Sequence, residues 1–253
     1  MIFGTSPKLI GTPLPLEKKR TVKDYIELLD AETGLILVGG QAVNLWAEKY
    51  QTVDTNILEF QPFTSRDADF YRRLAKLHLP SSWESLPNLS KGRMRIVSHV
   101  LKGPEGQTAE IIRSVNGLTE KEIENGAISI TYAGNPMWFL APVALFQAKL
   151  ANVNSLPQEE RQDLRHLQLL VPVTFCFFEE ILERYQKPER PTAILKWLSQ
   201  HVENLRLAVN QGHIHSLDWC DCLPIDLMAT HPSPSVVNFQ KHLKESAPLS
   251  DSV

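Results

Sequence analysis

A short apolar run that ends at two consecutive glycines is the feature of this sequence that most restricts its fold. Leu35–Val38 consists of residues that favour β-strands, and Gly39 and Gly40 follow it directly. Apolar residues then recur at helical spacing, at Ala42, Val43, Leu45 and Trp46. The pattern predicts a buried strand, a tight turn and a helix whose N-terminal N–H groups are available to a phosphate. A turn that needs positive φ would explain the same glycines without a ligand.

The secondary-structure pattern changes near residue 140. Before it, helical and strand-like segments alternate: a helix is predicted over 21–32, and strands over 67–71, 93–102, 108–115 and 127–132. After Pro142 the apolar spacing is helical. We therefore expect an α/β domain over residues 1–135 and a helical domain over 136–253, which ends in a short disordered tail.

The net charge of −3 conceals an uneven distribution, because residues 1–115 carry a net +2 and residues 116–253 a net −5. Nine basic residues lie within 66–113, against five acids: Arg66, Arg72, Arg73, Lys76, Lys91, Arg93, Arg95, Lys102 and Arg113. Such a basic region would attract a triphosphate or an RNA backbone. A solvated sheet face is an equally good interpretation.

Several classes of protein are disfavoured. No apolar run approaches the roughly 20 residues that span a bilayer, and the N-terminus lacks the pattern of a secretory signal. The three cysteines are too few for a disulfide framework, so we expect a cytoplasmic protein without a membrane partner.

Four potential zinc ligands lie close together in the C-terminal part of the chain: His213, His215, Cys220 and Cys222. Their His-x-His and Cys-x-Cys spacing is atypical of zinc sites. A loop with buried thiols and ordinary histidines is the favoured interpretation.

Residues 65–70, Ser-Arg-Asp-Ala-Asp-Phe, contain the most informative carboxylates. On a strand, Asp67 and Asp69 would share one face about 7 Å apart, and a hard cation such as Mg²⁺ would relieve their repulsion. Two solvated aspartates on an edge strand are the alternative. Glu110 lies inside the apolar segment 108–112, where an acid is unfavourable unless it is paired or binds metal. If these strands are neighbours, three carboxylates could hold two metal ions roughly 3.5–4 Å apart.

The order of these motifs resembles that of the polymerase-β-like nucleotidyltransferase superfamily: apolar strand, Gly-Gly, helix, Ser-x-Asp-x-Asp, then a carboxylate on a later strand. Pro-x-x-Leu-x-x-x-Lys-Leu at 142–150 and Arg-Gln-Asp-Leu at 161–164 are similar to the helical motifs of its abortive-infection toxin branch, which includes the MenT-type toxins. The resemblance covers about residues 25–170. It implies an α+β fold, in which a mixed β-sheet with flanking helices is followed by an α-helical C-terminal domain.

The resemblance also implies a role for each matching residue. The catalytic and metal-binding residues would be Asp67, Asp69 and Glu110, holding two Mg²⁺ ions (or Mn²⁺), and Glu110 would help to deprotonate the acceptor. The nucleotide-binding residues would be Gly39, Gly40, Ser65, Lys149 and Asp163. From the residues alone, Lys149 could equally be a solvated helix residue, and for Asp163 a position on a charged exposed face is the favoured interpretation.

The implied activity is transfer of a nucleoside monophosphate from an NTP to an acceptor hydroxyl of RNA or tRNA, a protein or a small molecule. A toxin of this kind would have an antitoxin partner. The chain departs from the superfamily pattern in three ways: a long segment (51–64) before Asp67, Glu110 in place of the commoner Asp, and Gln41 after the glycines. The first two departures motivate a second hypothesis, a non-catalytic nucleotide- or RNA-binding module on the same fold. A third is a protein-interaction scaffold that docks through its acidic helical half.

Overall fold

The computed structural model describes residues 19–29, 34–72, 78–87, 96–159, 161–184, 200–203 and 219–246. Within these ranges seven strands are present: β1 (Leu35–Val38), β2 (Ala68–Arg72), β3 (Glu84–Pro87), β4 (Val97–Lys102), β5 (Thr108–Ile112), β6 (Ala127–Tyr132) and β7 (Asn135–Leu140). They form one mixed sheet in the order β3-β4-β5-β2-β1-β7-β6. Strands β1 and β2 lie side by side near the centre of this sheet. Along the chain they are connected through the glycine turn and the first helix.

Within the described part of the chain, six α-helices are α1 (Gly39–Tyr50), α2 (Glu120–Gly126), α3 (Pro142–Ser155), α4 (Asp163–Arg184), α5 (Ile225–Ala229) and α6 (Pro234–Ser246), and residues 200–203 are also helical. Three 3₁₀ helices cover Val22–Leu29, Thr55–Phe60 and Trp219–Cys222. Pro142 begins α3 at a position where its missing N–H leaves no helical bond unmade. None of the described helices is both long and apolar enough to cross a membrane.

One hydrophobic core joins the sheet to helices α1, α3 and α4. Its largest fully buried side chains include Trp46 of α1, Phe139 of β7 and Phe178 of α4. The Trp46 indole N–H also donates to the Leu140 carbonyl at 2.9 Å, which fixes α1 over the end of β7. The helical segment after residue 142 is thus packed on the same core as the sheet.

The α+β class, with a mixed sheet, flanking helices and a following helical region, is confirmed. Strands β1 and β6 have the predicted bounds, and the predicted antiparallel hairpin is β4–β5. The helix expected over 21–32 is a 3₁₀ helix over Val22–Leu29. Strands β3 and β7 and helix α2 were not predicted. The division of the chain at residue 135 stays a prediction.

Strand β2 has a neighbour on each side, antiparallel β1 and parallel β5. The alternation of its side chains places Ala68 and Phe70 in the core, where both are fully buried. Asp69 therefore projects from the opposite face of the sheet. This register places the candidate site at the centre of the sheet rather than at an exposed edge.

Candidate active site

Asp67, Asp69 and Glu110 lie together at the centre of the sheet. Asp69 is the register partner of Val38 on β1 and of Glu110 on β5. Asp67 comes directly before β2, and its charge acts on both other carboxyl groups. The expectation that the two acidic strands are neighbours is confirmed, and the alternative of an exposed edge strand is excluded because β2 is paired on both sides. Their assignment as catalytic metal ligands stays a prediction.

The electrostatics of this cluster favour protonated carboxyl groups. Burial raises the pKa of Asp69 to about 7, and the Asp67 and Glu110 carboxylates add to the shift. Burial also raises the pKa of Asp67, and burial together with the Asp67 charge raises the pKa of Glu110. Three partly buried like charges are unfavourable together unless a cation neutralises them. Perturbation of this kind is typical of functional sites.

The two glycines bring Asp69 and Ser65 against the N-terminus of α1. Gly39 has φ +67°, and a Cβ at this residue would lie 2.3 Å from Asp69 Oδ2. A Cβ on Gly40 would lie 3.0 Å from Ser65 Oγ and 3.1 Å from His166 Cε1. The turn thus needs glycine for its backbone conformation at Gly39. It needs small residues at both positions because polar side chains pack directly on it.

Ser65 is held in place by backbone pairing with Arg20. The Arg20 N–H donates to the Ser65 carbonyl at 2.9 Å, and the Ser65 N–H donates to the Arg20 carbonyl at 3.0 Å. The fully buried Gln41 side chain donates to the same Arg20 carbonyl at 3.0 Å. Gln41, the unusual residue after the glycines, therefore anchors the segment that supports Ser65.

Lys149 of α3 and Asp163 of α4 form a buried ion pair. Lys149 Nζ lies 2.7 Å from Asp163 Oδ1, and Arg161 Nε lies 2.5 Å from Asp163 Oδ2. Asp163 is 2% exposed and Lys149 7% exposed, so neither is a solvated surface residue. Burial acts to raise the pKa of Asp163, but the two cations outweigh it and lower that pKa below its ordinary value.

The ion-paired cluster acts on the carboxylate cluster. The positive charges of Lys149 and Arg161 both act to lower the pKa values of Asp67 and Asp69, against the larger effect of burial. The structure thus brings the predicted residues of the sheet and of the two helices into electrostatic contact. The helical side contributes two cations, Lys149 and Arg161, and one acid, Asp163. The sheet contributes the three acids described above.

Three further polar residues belong to this region and had no predicted role. Arg161 belongs to the Arg-Gln-Asp-Leu motif, and its position two residues before Asp163 is the sequence feature that could have predicted its part in the site. The Tyr25 hydroxyl is buried, and burial together with the Asp67 charge raises its pKa. His166 is buried beside Gly40. No sequence signal distinguished Tyr25 or His166 from ordinary core residues.

The donor set fits Mg²⁺ only if part of its coordination comes from a substrate. Within the described ranges, no group of three or more Asp, Glu, His or Cys side chains is arranged to hold a metal ion. Mg²⁺ in proteins is, however, commonly held by one or two carboxylates together with substrate phosphates and water. Asp67 and Asp69, whose repulsion favours a cation, are the residues that would hold it.

The remaining predicted features are only partly described. His213 and His215 lie outside the described residues, while Cys220 is half-buried and Cys222 is buried. A zinc site therefore stays untested. Of the nine basic residues, five lie outside the described ranges: 73, 76, 91, 93 and 95. Arg66, Lys102 and Arg113 are exposed, and Arg72 is half-buried.

No protein-family model matches the chain, and no curated protein matches it. Among solved structures, it is similar to the crystal structure of an antigenic nucleotidyltransferase-like protein from Paracoccidioides brasiliensis. The two chains are 11% identical, and the match covers 76% of this chain and 94% of that chain with a TM-score of 0.36. A likeness this distant supports no inference about activity, and assignment to the abortive-infection branch stays a prediction.

Proposed function

We propose that this protein is a Mg²⁺-dependent nucleotidyltransferase, which moves a nucleoside monophosphate from an NTP to an acceptor hydroxyl. The observation that carries the proposal is the position of Asp69. Its carboxylate lies against the glycine turn at the start of α1 and is in register with Glu110. An acid at this point, next to a helix N-terminus that attracts anions, is suited to a metal–phosphate complex rather than to a phosphate alone.

The residues around the turn would bind the triphosphate. The N–H groups at the start of α1 and the Ser65 hydroxyl would donate to phosphate oxygens, as helix N-termini commonly do. Asp67 and Asp69 would hold Mg²⁺, which when bound neutralises phosphate charge and aligns the reacting oxygens. Bound substrate would thereby remove the unfavourable electrostatics of the free carboxylates.

The helical side would supply positive charge without a metal. Asp163 fixes Lys149 in a buried position, where an ammonium without a counter-ion would be strongly unfavourable. It also holds Arg161, whose side chain is 40% exposed and can reach a ligand. Asp163 is therefore a positioning residue, and the two cations would neutralise the charge that develops on the leaving pyrophosphate.

The reaction would be an in-line displacement at the α-phosphorus. The acceptor oxygen forms a bond to that phosphorus while the bond to the bridging oxygen of the β-phosphate breaks. Pyrophosphate leaves with the electron pair of the broken bond. The acceptor proton passes to the Glu110 carboxylate, which faces the cluster from β5.

The class of acceptor, whether RNA, a protein or a small molecule, can be identified by experiment. Exposed Arg66, whose charge acts on Asp67, would attract a polyanionic acceptor such as RNA or a tRNA end. A protein hydroxyl and a small molecule are the other acceptors to be compared. A role as the toxin of a toxin–antitoxin pair would follow from transfer to tRNA, and an adjacent gene for a small regulator would support it.

Labelled substrates test the proposal directly. The protein is incubated with each α-³²P-labelled NTP and Mg²⁺, in separate reactions with total RNA, protein substrate or no acceptor. We expect label in one acceptor class, and none with Asp67→Asn plus Asp69→Asn. Label transfer by that double variant would contradict the assignment of the site.

A second candidate function is nucleotide or RNA binding without transfer. It is favoured by two departures from the superfamily pattern, Glu110 in place of the commoner Asp and the long segment (51–64) before Asp67. Mg²⁺-dependent NTP binding without label transfer to any acceptor would support this candidate. Absence of Mg²⁺-dependent NTP binding would leave a protein-interaction scaffold as the remaining hypothesis.

A further inference from the structure

His166 of α4 is a buried polar residue whose hydrogen-bonding capacity is unused. Its side chain is 2% exposed, and neither ring nitrogen has a hydrogen-bond partner among the residues that the structure describes. A neutral imidazole carries one donor and one acceptor. Leaving both unpaired in the interior is unfavourable and rare in proteins. The hydrogen bond that this buried position requires is therefore not formed in the free protein.

The ring faces the same point on α1 as Ser65 does. His166 Cε1 lies 3.1 Å from the position that a Cβ of Gly40 would occupy, and Ser65 Oγ lies 3.0 Å from that position. Cε1 is bonded to both ring nitrogens, so the ring edge that carries them is turned toward Gly40. The imidazole edge and the hydroxyl thus border one small space over the second residue of the helix.

The charge state of the ring suits a neutral donor. Burial, together with the positive charge of Lys149, lowers the pKa of His166 well below its ordinary value. His166 also lies one helical turn after Asp163, whose carboxylate already bonds Lys149 and Arg161. The positive charge of the site is therefore supplied by those two residues, and the imidazole contributes hydrogen bonding alone.

We propose that His166 is a positioning residue for Ser65: in the nucleotide-bound protein a ring N–H donates to Ser65 Oγ. A hydroxyl that accepts this bond has its own proton free, and directs it toward a phosphate at the N-terminus of α1. Catalytic hydrogen bonds are often long in free proteins and shorten when substrate binds. The inference rests on the proposed function, since it needs a nucleotide phosphate at the glycine turn.

The test is a double-variant cycle on Mg²⁺–NTP binding, measured by calorimetry with each of the four NTPs. His166→Leu removes both nitrogens, and Ser65→Ala removes the hydroxyl. We expect each to raise Kd about tenfold, the usual effect of one hydrogen bond, and the double variant to raise it no further. His166→Gln, which keeps an N–H donor, should restore binding to within about threefold of wild type. His242→Leu on exposed α6 is the matched control and should leave Kd unchanged.

The outcomes separate this inference from the proposed function. Wild-type protein that binds no NTP overturns both. Wild-type binding that His166→Leu leaves unchanged, or effects that add in the double variant, overturns the role of His166 alone. If His166→Leu fails to fold, ¹⁵N NMR of the wild-type imidazole decides: Mg²⁺–NTP should shift a ring-nitrogen signal in wild type but not in Ser65→Ala. An unshifted wild-type signal under saturating NTP also overturns the inference.

Discussion

Asp69 and Asp163 have opposite pKa shifts although burial acts to raise the pKa of both. Asp163 bonds two cations of its own chain at 2.7 Å and 2.5 Å, and its pKa falls. Asp69 faces the like charges of Asp67 and Glu110, and its pKa rises to about 7. The cations beside Asp163 thus outweigh its burial in the free protein, while the cations that act on Asp69 do not outweigh its burial and the like charges next to it. We therefore expect substitution of Asp163 to act mainly on stability, and substitution of Asp69 to act mainly on ligand binding and activity.

The largest expected effect is loss of activity on the sheet side. Asp67→Asn plus Asp69→Asn should lower label transfer by about 10³-fold or more, because the carboxylates that hold the metal are removed. The melting temperature should stay the same or rise, since two repelling carboxylates are neutralised. Glu124→Gln, which changes an exposed acid on α2, is the matched control and should leave transfer unchanged. Retained activity would contradict the proposal that Asp67 and Asp69 hold the metal.

On the helical side the large effect should be on stability. Asp163→Asn leaves Lys149 buried without its counter-ion, so we expect the free energy of unfolding to fall by about 3–5 kcal/mol. Urea denaturation measures this change. Asp226→Asn on exposed α5 is the control and should change stability by less than about 0.5 kcal/mol. A loss below about 1 kcal/mol at Asp163 would show that the buried ion pair is not needed for folding.

The contact between the glycine turn and Asp69 can be tested separately. Gly39 and Gly106 both have positive φ, +67° and +76°, but a Cβ on Gly106 would meet nothing within 4 Å. Gly106→Ala should therefore show only the backbone penalty, about 1–2 kcal/mol. Gly39→Ala should be less stable by about 2–4 kcal/mol, because the added methyl also displaces the Asp69 carboxylate. Thermal denaturation compares the two, and equal losses would contradict the close packing on Asp69.

The smallest effect is a pH-dependent difference in stability between wild type and Asp69→Asn. The pKa of Asp69 is about 7 in the folded protein, against an ordinary value of 3.8, so the folded state holds its proton more tightly. Protonation of Asp69 therefore contributes to the stability of the folded state. This contribution is fully present below about pH 4 and is lost as the pH rises through 7. Between pH 5 and 8, the stability of Asp69→Asn relative to wild type should increase by about 3 kcal/mol. A pH-independent difference would mean that Asp69 is ionised throughout.

Local patterns in the sequence predicted the parts of the site but not their assembly. The Leu35–Val38 strand, the glycine turn and the α1 stripe each follow from neighbouring residues, and all three are present. The pairing of Asp69 with Glu110 depends instead on a register between strands about 40 residues apart, which no local pattern specifies. The resemblance to a family supplied that expectation.

The strand that was missed also has a physical explanation. Pro136 lies in β7, and proline argues against a strand within a sheet because it lacks an N–H group. β1 pairs with β7 at Trp138 and Phe139, so Pro136 lies beyond that pairing and opposes only Thr131 of β6. His166 was missed for a different reason. Burial without a hydrogen-bond partner is a property of the folded interior, and the residues next to His166 in the sequence do not predict it.

The order of strands in the sheet has a consequence for synthesis. β1 pairs on one side with β2, which follows soon after, and on the other with β7, which is made only once residue 140 has been added. A growing chain therefore exposes an apolar strand edge through much of its synthesis, a state in which aggregation competes with folding. Arg161 and Asp163 are made later still, after α3, so Lys149 of α3 has no ion-pair partner at Asp163 until then. A nascent chain stalled after α3 would contain every strand of the described sheet, yet we expect it to bind no triphosphate.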